Sequence, residues 1–307
     1  MELFAEANYK ILDKRKFGAI FSIALIAIGL LSIIFHNGLR LGIDFQGGTL
    51  MQLQFEQQVE IADIRSAMDE VGFGGAEIQR FGAPNEILIR VLALQGEEGR
   101  KASEQIKTAI SQSIPENSFQ VRRLEQVGPE IGSELRGQAV LAILSALLGI
   151  VLYISIRFEF KFAIAAIIAL IHDILITLGV FSVLNLEISL AIIAAFLTIV
   201  GYSLNDTIVV FDRVRENLKA MRREAYDAIV NTSINQSLSR TVVTSVTTFL
   251  VVLVLYLGGG EVIHNFALAL IIGVVIGTYS SIFVASPVIV EWEARYPSKS
   301  KSRSRRG

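Results

Sequence analysis

Six stretches of this chain are long and apolar enough to cross a ~30 Å hydrocarbon core as helices, which takes ~17–25 residues each. They lie at Phe17–Phe35, Ala139–Ile156, Phe162–Leu184, Ile188–Phe211, Thr241–Leu257 and Val262–Ala285. Composition agrees: 52% of the 307 residues are apolar, 19% are charged, and mean hydropathy is +0.54. A disordered or collagen-like chain is excluded, and one ordinary soluble domain does not fit. The chain has no cysteine. That excludes disulfide stapling, thiol catalysis, Cys-ligated zinc and iron–sulfur clusters.

The first run follows Lys14-Arg15-Lys16 and is too long for a signal-peptide core. Phe35-His36-Asn37 offers no small-residue cleavage site, so an uncleaved anchor is expected. The positive-inside rule then sets the orientation. With both termini cytoplasmic, that side holds 18 of the 28 Lys and Arg residues, in the 1–16 tail, the Arg157–Lys161 turn, the 212–240 loop and the 286–307 tail. The outer turns Asn185–Glu187 and Gly258–Glu261 hold none. The other ten lie in the long loop 36–138, and long loops cross regardless of charge. The formal net charge of −1 therefore divides into a basic cytoplasmic side and an acidic outer one.

The loop 36–138 is the size of a small domain. Its pattern predicts strand (Leu41–Phe55), helix (Ile61–Val71), strand (Ala76–Phe81), strand (Glu86–Ala93), helix (Glu97–Ser113), strand (Phe119–Val127). Ile87, Ile89 and Val91 alternate as in a strand, while Ile61, Ile64, Met68 and Val71 keep helical spacing. The order βαββαβ is the ferredoxin-like, split-βαβ unit, an α+β domain on the outer side. The loop 212–240 reads as a basic amphipathic connector, with Val214, Leu218, Met221 and Ala225 on one face and five basic residues crowding the rest. An anionic lipid surface or plain solvent would each suit the basic face. The serine-rich, basic segment 298–307 reads as a disordered tail.

Ionisable groups inside the six runs are few: His172, Asp173, Asp206 and, near an outer edge, His264. An ionised Asp at a helix centre costs ~2.5–3.5 kcal/mol on insertion scales, so such groups face the bundle interior or water and are candidates for function. Asp173 lies ~16 Å from the outer end of its helix, near the midplane, and Asp206 ~27 Å from the outer end of its own. Asp206 belongs to a polar run, Gly201-Tyr202-Ser203-Leu204-Asn205-Asp206-Thr207. The fifth run opens on Arg240 and carries Thr241, Thr244, Ser245 and Thr248 on one hydroxyl-lined face. Arg240 is within reach of Asp206 along the same side. A nearby cation favours the carboxylate and burial favours the neutral acid, which suits a proton relay through Asp206 and Arg240. The same residues suit a static helix–helix contact with hydroxyls as packing glue. For Asp173 and His172 a structural hydrogen bond is expected, and for His264 no role.

Gly273 and Gly277 form a GxxxG in the sixth run, and Asn231-Thr232-Ser233 matches a glycosylation sequon on the wrong side of the membrane. There is no GxxxxGKS loop, GxSxG elbow or HExxH. No cofactor, metal or nucleic-acid partner is implied, and the energy source is an ion gradient, a partner, or none.

Gly42-Ile43-Asp44-Phe45-Gln46-Gly47-Gly48 opens the outer domain, and Val127-Gly128-Pro129 with Gly132 closes it. Arg157-Phe158-Glu159, His172-Asp173, the run from Gly201 to Arg213, and Arg240-Thr241 with Thr244-Ser245 and Thr247-Thr248 follow. Together, in this order, these motifs closely resemble the SecF branch of the bacterial SecD/SecF preprotein-translocase family, within the RND superfamily. The resemblance implies half of an RND-type bundle, in the inner membrane, paired with SecD beside the SecYEG channel and YajC. It implies use of the proton motive force, without ATP, to complete the export of unfolded preproteins on the periplasmic side. It links Asp206 and Arg240 to proton transport, with Asn205, Thr207, Thr244, Ser245 and Thr248 around them. It makes Gly42, Asp44, Phe45, Gly47 and Gly48 a join coupling helix movement to the outer domain. The implied protein is a mechanical coupler, not an enzyme. An RND small-molecule or lipid exporter, and a scaffold that only stabilises SecD and the channel, are the rival readings.

Overall fold

The computed structural model describes residues 8–91 and 96–297. The serine-rich tail and the end of the expected third strand, residues 92–93, lie outside them. A 3-10 turn at Leu12–Lys14 leads into α1 (Arg15–Phe35). The sheet domain follows: α2 (Ile43–Gln46), β1 (Gly48–Phe55), α3 (Ile61–Glu70), β2 (Glu77–Phe81), β3 (Ala83–Val91), α4 (Gly96–Ser113) and β4 (Phe119–Val127). The chain then forms α5 (Pro129–Arg157), α6 (Phe160–Val183), α7 (Leu190–Ala220), α8 (Tyr226–Gly258), α9 (Glu261–Ser280), a π-helical turn (Ser281–Ala285) and α10 (Ser286–Arg295). Among the described residues six helical spans are long and apolar enough to cross a membrane, the sixth running from α9 through the π turn into α10. Helices satisfy every backbone group internally, as lipid demands. The chain is a multi-pass membrane protein.

The sheet order is β2-β3-β1-β4 with every neighbour antiparallel, the arrangement of a split βαβ unit. Met51 sits opposite Ile89 on one side and Leu124 on the other. Because side chains alternate along a strand, Met51, Leu53, Phe55, Ile87 and Ile89 share one face. They pack there on Ile64 and Met68 of α3 and Ile106 and Ile110 of α4. Leu50 and Leu88 point the other way, onto Ile43.

The structure differs from the sequence expectation in that α5 begins at Pro129 rather than Ala139 and β3 at Ala83 rather than Glu86, and in two further places that bear on the site. The first strand begins at Gly48, not Leu41, because Ile43–Gln46 makes one helical turn that sends Phe45 into the bundle core beside Phe181, Ile192 and Phe196. The stretch 212–240 is not a separate surface connector. α7 and α8 run straight into it, leaving only residues 221–225 between them. Val214 and Leu218 pack into the bundle core, and Asn217 donates to Ser233 and Gln236 across the hairpin at 2.9 Å each. Val214 and Leu218 of the apolar stripe thus face protein, while Ala225 is exposed.

Two helix ends toward the sheet domain close in the same way. Asn37 (φ 56°) and Asn185 (φ 51°) adopt left-handed backbone after α1 and α6. Gly38 then donates to Ile33 O and Leu186 to Phe181 O, both at 2.8 Å, capping orphan carbonyls. Helices α1 and α6 meet at Gly29 and Gly179, where a Cβ on either would come within 2.8 Å of the other's Cα. At the opposite end of the bundle, Asn231 and Asn235 of α8 hold the segment before α1. Asn231 accepts from Ile11 N–H at 2.9 Å, and Asn235 both accepts from Tyr9 N–H at 2.8 Å and donates to its carbonyl.

Candidate functional site

Apart from Glu293, which pairs with Lys161 at 3.1 Å, two buried carboxylates lie between the helices among the described residues, and their surroundings differ. Asp173 is 1% exposed and carries three side-chain partners. Its Oδ2 accepts from Ser203 of α7 at 2.5 Å and from Ser280 of α9 at 2.8 Å. Its Oδ1 lies 2.8 Å from His172 Nδ1, and His172 Nε2 lies 2.9 Å from Ser22 Oγ of α1. Tyr279 continues the chain, 3.1 Å from Ser22 Oγ and donating to Gly18 O at 2.7 Å. This network ties α1, α6, α7 and α9 together.

Asp206, one turn further along α7 from Ser203, is 2% exposed. Its Oδ2 accepts from Ser245 of α8 at 3.3 Å, and Ser245 Oγ is also 2.7 Å from Thr278 Oγ1 of α9. So α7, α8 and α9 converge around it through hydroxyls. The GxxxG pair makes this convergence possible. A Cβ on Gly277 would strike Ser203, and one on Gly273 would strike Ile199, so bare glycine lets α9 approach α7. Ser245 is where the hydroxyl-lined face predicts it.

The other expected partners are distributed more widely. Arg240 is exposed, and no ion pair within 4.0 Å joins it to Asp206 among the described residues. Thr207 is buried but donates to Ser203 O of its own helix at 3.2 Å. Thr244 donates to Arg240 O at 2.9 Å and Thr241 O at 3.0 Å within its helix, and its side chain also reaches Asp206. Thr241 is buried with its hydroxyl unpaired, and Thr248 is half-buried. Asn205 is exposed, pointing away from the bundle with Ala194, Thr198 and Gly201 along one side of α7. His264 stacks on Tyr256 with ring centroids 4.0 Å apart.

The glycine-rich loop reaches the same helix from its far end. Gly42 N–H donates to Ile188 O and Ile188 N–H to Arg40 O, both at 2.8 Å. Ser189 supplies no side-chain cap to α7; instead Asp44 Oδ2 accepts from Leu190 N–H at 2.8 Å. A carboxylate there also suits the positive end of the helix dipole. Gly47 (φ 75°) lies against Pro129, the first residue of α5, where a Cβ would fall 2.8 Å from Pro129 Cα. Glycine is required on both counts. Gly48 starts β1 opposite Val127 of β4. One loop thus joins β1, α5 and α7.

Ion pairs strengthen the join, and no local motif distinguishes their residues in the sequence. Arg90 of β3, 4% exposed, pairs with Glu77 at 3.1 Å and with Glu187 in the α6–α7 turn. Arg40 pairs with Glu77 and donates to Asn185 O at 3.2 Å. Burial, helped by the neighbouring Arg40, lowers the Arg90 pKa to about 10. The guanidinium still carries its charge at neutral pH.

Comparison with known proteins agrees with this architecture. The family profile described as protein export membrane protein SecD/SecF, C-terminal, matches residues 106–295, and the SecD/SecF GG motif matches residues 32–59. The chain is 46% identical over 286 residues to protein translocase subunit SecF of Calditerrivibrio nitroreducens, covering 92% of this chain and 94% of that protein. It is 47% identical to the protein translocase subunit SecF of Rhodothermus marinus over 303 residues, covering 96% of each. The crystal structure of SecDF, a translocon-associated membrane protein from Thermus thermophilus, superposes with a TM-score of 0.85 at 41% identity over 96% of this chain. A SecDF structure in a super-membrane-facing form gives a TM-score of 0.70 at 40% identity over 98% of this chain. The chain spans 40% and 41% of the lengths of those two SecDF chains. With a profile match over most of its length and relatives aligned nearly end to end, the chain belongs to the SecD/SecF family of protein export membrane proteins.

Proposed function

We propose that this chain is the proton-coupled half of a SecD-paired export complex. Using the proton motive force and no ATP, it drives the late stage of preprotein translocation beside the SecYEG channel. The observation that carries the reading is the contrast between the two buried carboxylates. Asp173 is saturated by serine and histidine partners, as a fixed structural group should be. Asp206 meets only the hydroxyls of Ser245 and Thr244 and, among the described residues, no ion pair within 4.0 Å, in a seam where three helices meet. Removing or adding one proton there changes the helix–helix attraction at little cost to the rest of the fold. The gradient supplies ~2.3 kcal/mol per charge per 100 mV, enough to bias a two-state equilibrium tens-fold. α7 carries Asp206 at one point and accepts the Asp44 cap at its start, so a shift of α7 reaches the sheet domain directly.

The orientation follows from charge. Arg15, Lys16, Arg157, Arg213, Arg215 and Arg222 all lie at the bundle end opposite the sheet domain, which supports an inner-membrane protein with that end cytoplasmic and the sheet periplasmic. The side of α7 carrying Ala194, Thr198, Gly201 and Asn205 is small, partly polar and unpartnered at membrane depth, which supports a SecD helix as its neighbour. In Asp206→Asn, folding and SecD copurification persist while proton-dependent export in reconstituted vesicles falls at least tenfold. Full export by that variant would leave the chain a scaffold.

A further inference from the structure

On the side of the bundle formed by α1, α6 and α10 there is a second feature, unconnected to Asp206. The three helices enclose a cleft of about 780 Å³. Its walls are apolar, with Ile23 and Ile26 from α1, Ile171 and Leu175 from α6, and Val284 and Val288 from the last span. Its inner end reaches Ser22 and His172. The π turn shapes it. The extra residue in that turn, fixed by Ser286 donating to Ser281 O at 2.7 Å, aims Phe283 and Val284 at α1 and α6. Such bulges mark functional positions more often than plain helix does.

The mouth of the cleft is different chemistry. Arg15, Lys16 and Arg295 ring it, with Trp292 and Tyr296 beside them and Glu291 as the one acid. Arg15 and Glu291 pair at 3.4 Å but are too exposed to neutralise each other fully. From Arg15 to Ile26 the cleft runs ~16 Å along α1, about half of a ~30 Å hydrocarbon core. Cations and amphipathic aromatics therefore stand at headgroup level, and the apolar walls descend through one leaflet.

We infer that this cleft is a binding site for one anionic glycerophospholipid, its phosphate between Lys16 and Arg295 and an acyl chain along Ile23, Ile26 and Val284. The full-length chain in detergent, titrated with phosphatidylglycerol, phosphatidylcholine or glycerol 3-phosphate, tests this by native mass spectrometry. One phosphatidylglycerol is expected to bind at least tenfold more tightly than phosphatidylcholine, and glycerol 3-phosphate not to bind. The double change Lys16→Gln, Arg295→Gln should weaken it about thirtyfold. Ala19→Trp fills the cleft from its wall with every charge kept, and should abolish binding. If that variant fails to fold, the charge variant decides. Equal affinity for the two phospholipids, tight glycerol 3-phosphate binding, or binding that survives the charge change or Ala19→Trp overturns the proposal. So does a partner-bound complex that retains no phosphatidylglycerol, since a partner helix would then hold the cleft.

Discussion

At the scale of single residues, the two membrane carboxylates make opposite predictions. Asp173 holds three partners, so Asp173→Asn leaves Ser203, Ser280 and His172 badly matched. A loss of ~1–3 kcal/mol in stability is expected, read as a lower Tm in detergent. Asp206→Ser should leave Tm nearly unchanged, and reduce gradient-driven export at least tenfold. Sequence alone found both residues, because an acid in an apolar run stands out. It did not reveal which was saturated, since Ser203, Ser280 and Ser22 reach Asp173 and His172 from other helices, and nothing local marks a serine as their partner. Depth also sets Arg240 on the same side as Asp206, where their charges interact without an ion pair within 4.0 Å among the described residues.

At the scale of elements, the cap on α7 is a long-range one. Asp44→Ala removes it, at a cost of about 1 kcal/mol. Faster hydrogen exchange at the Leu190 amide is expected, with Asp44→Asn restoring most of the protection. Gly179→Val should force α1 off α6, lowering stability by ~1–3 kcal/mol. Thermal denaturation measures it directly, and Val180→Ala in the next position controls for the site. The paired strands and helices of the outer domain were legible from period-2 and period-3.6 patterns, because one core face repeats along each element. The α2 turn was not, since Ile43–Gln46 is shaped by a bundle core built from residues about 140 positions later. The ends of α7 and α8 were misjudged for a related reason. Basic residues after Phe211 resemble a surface segment, yet Val214 and Leu218 find their apolar partners within the bundle.

At the scale of the whole molecule, the sheet domain and the bundle are joined by backbone bonds, a helix cap and the Arg90 ion pairs. Arg90 titrates at about 10, so its charge is constant in the physiological range. Its charge is lost only as pH rises past that value, earlier than in the unfolded chain. Protection of the Gly42 and Ile188 amides should therefore be flat from about pH 6 to 8, whatever the state of Asp206. Asn205→Leu together with Gly201→Leu should leave Tm unchanged and abolish SecD copurification, if that side of α7 is the subunit contact. The clamp of Asn231 and Asn235 on Tyr9 spans 226 residues of sequence. A ribosome delivers Tyr9 early and Asn235 only once four spans have been made. The N-terminal segment is therefore unfastened during synthesis and is secured when the fifth span arrives. Its closure reports that the fifth span has been delivered, and a quality-control protease would find that segment open only on chains that stalled before it.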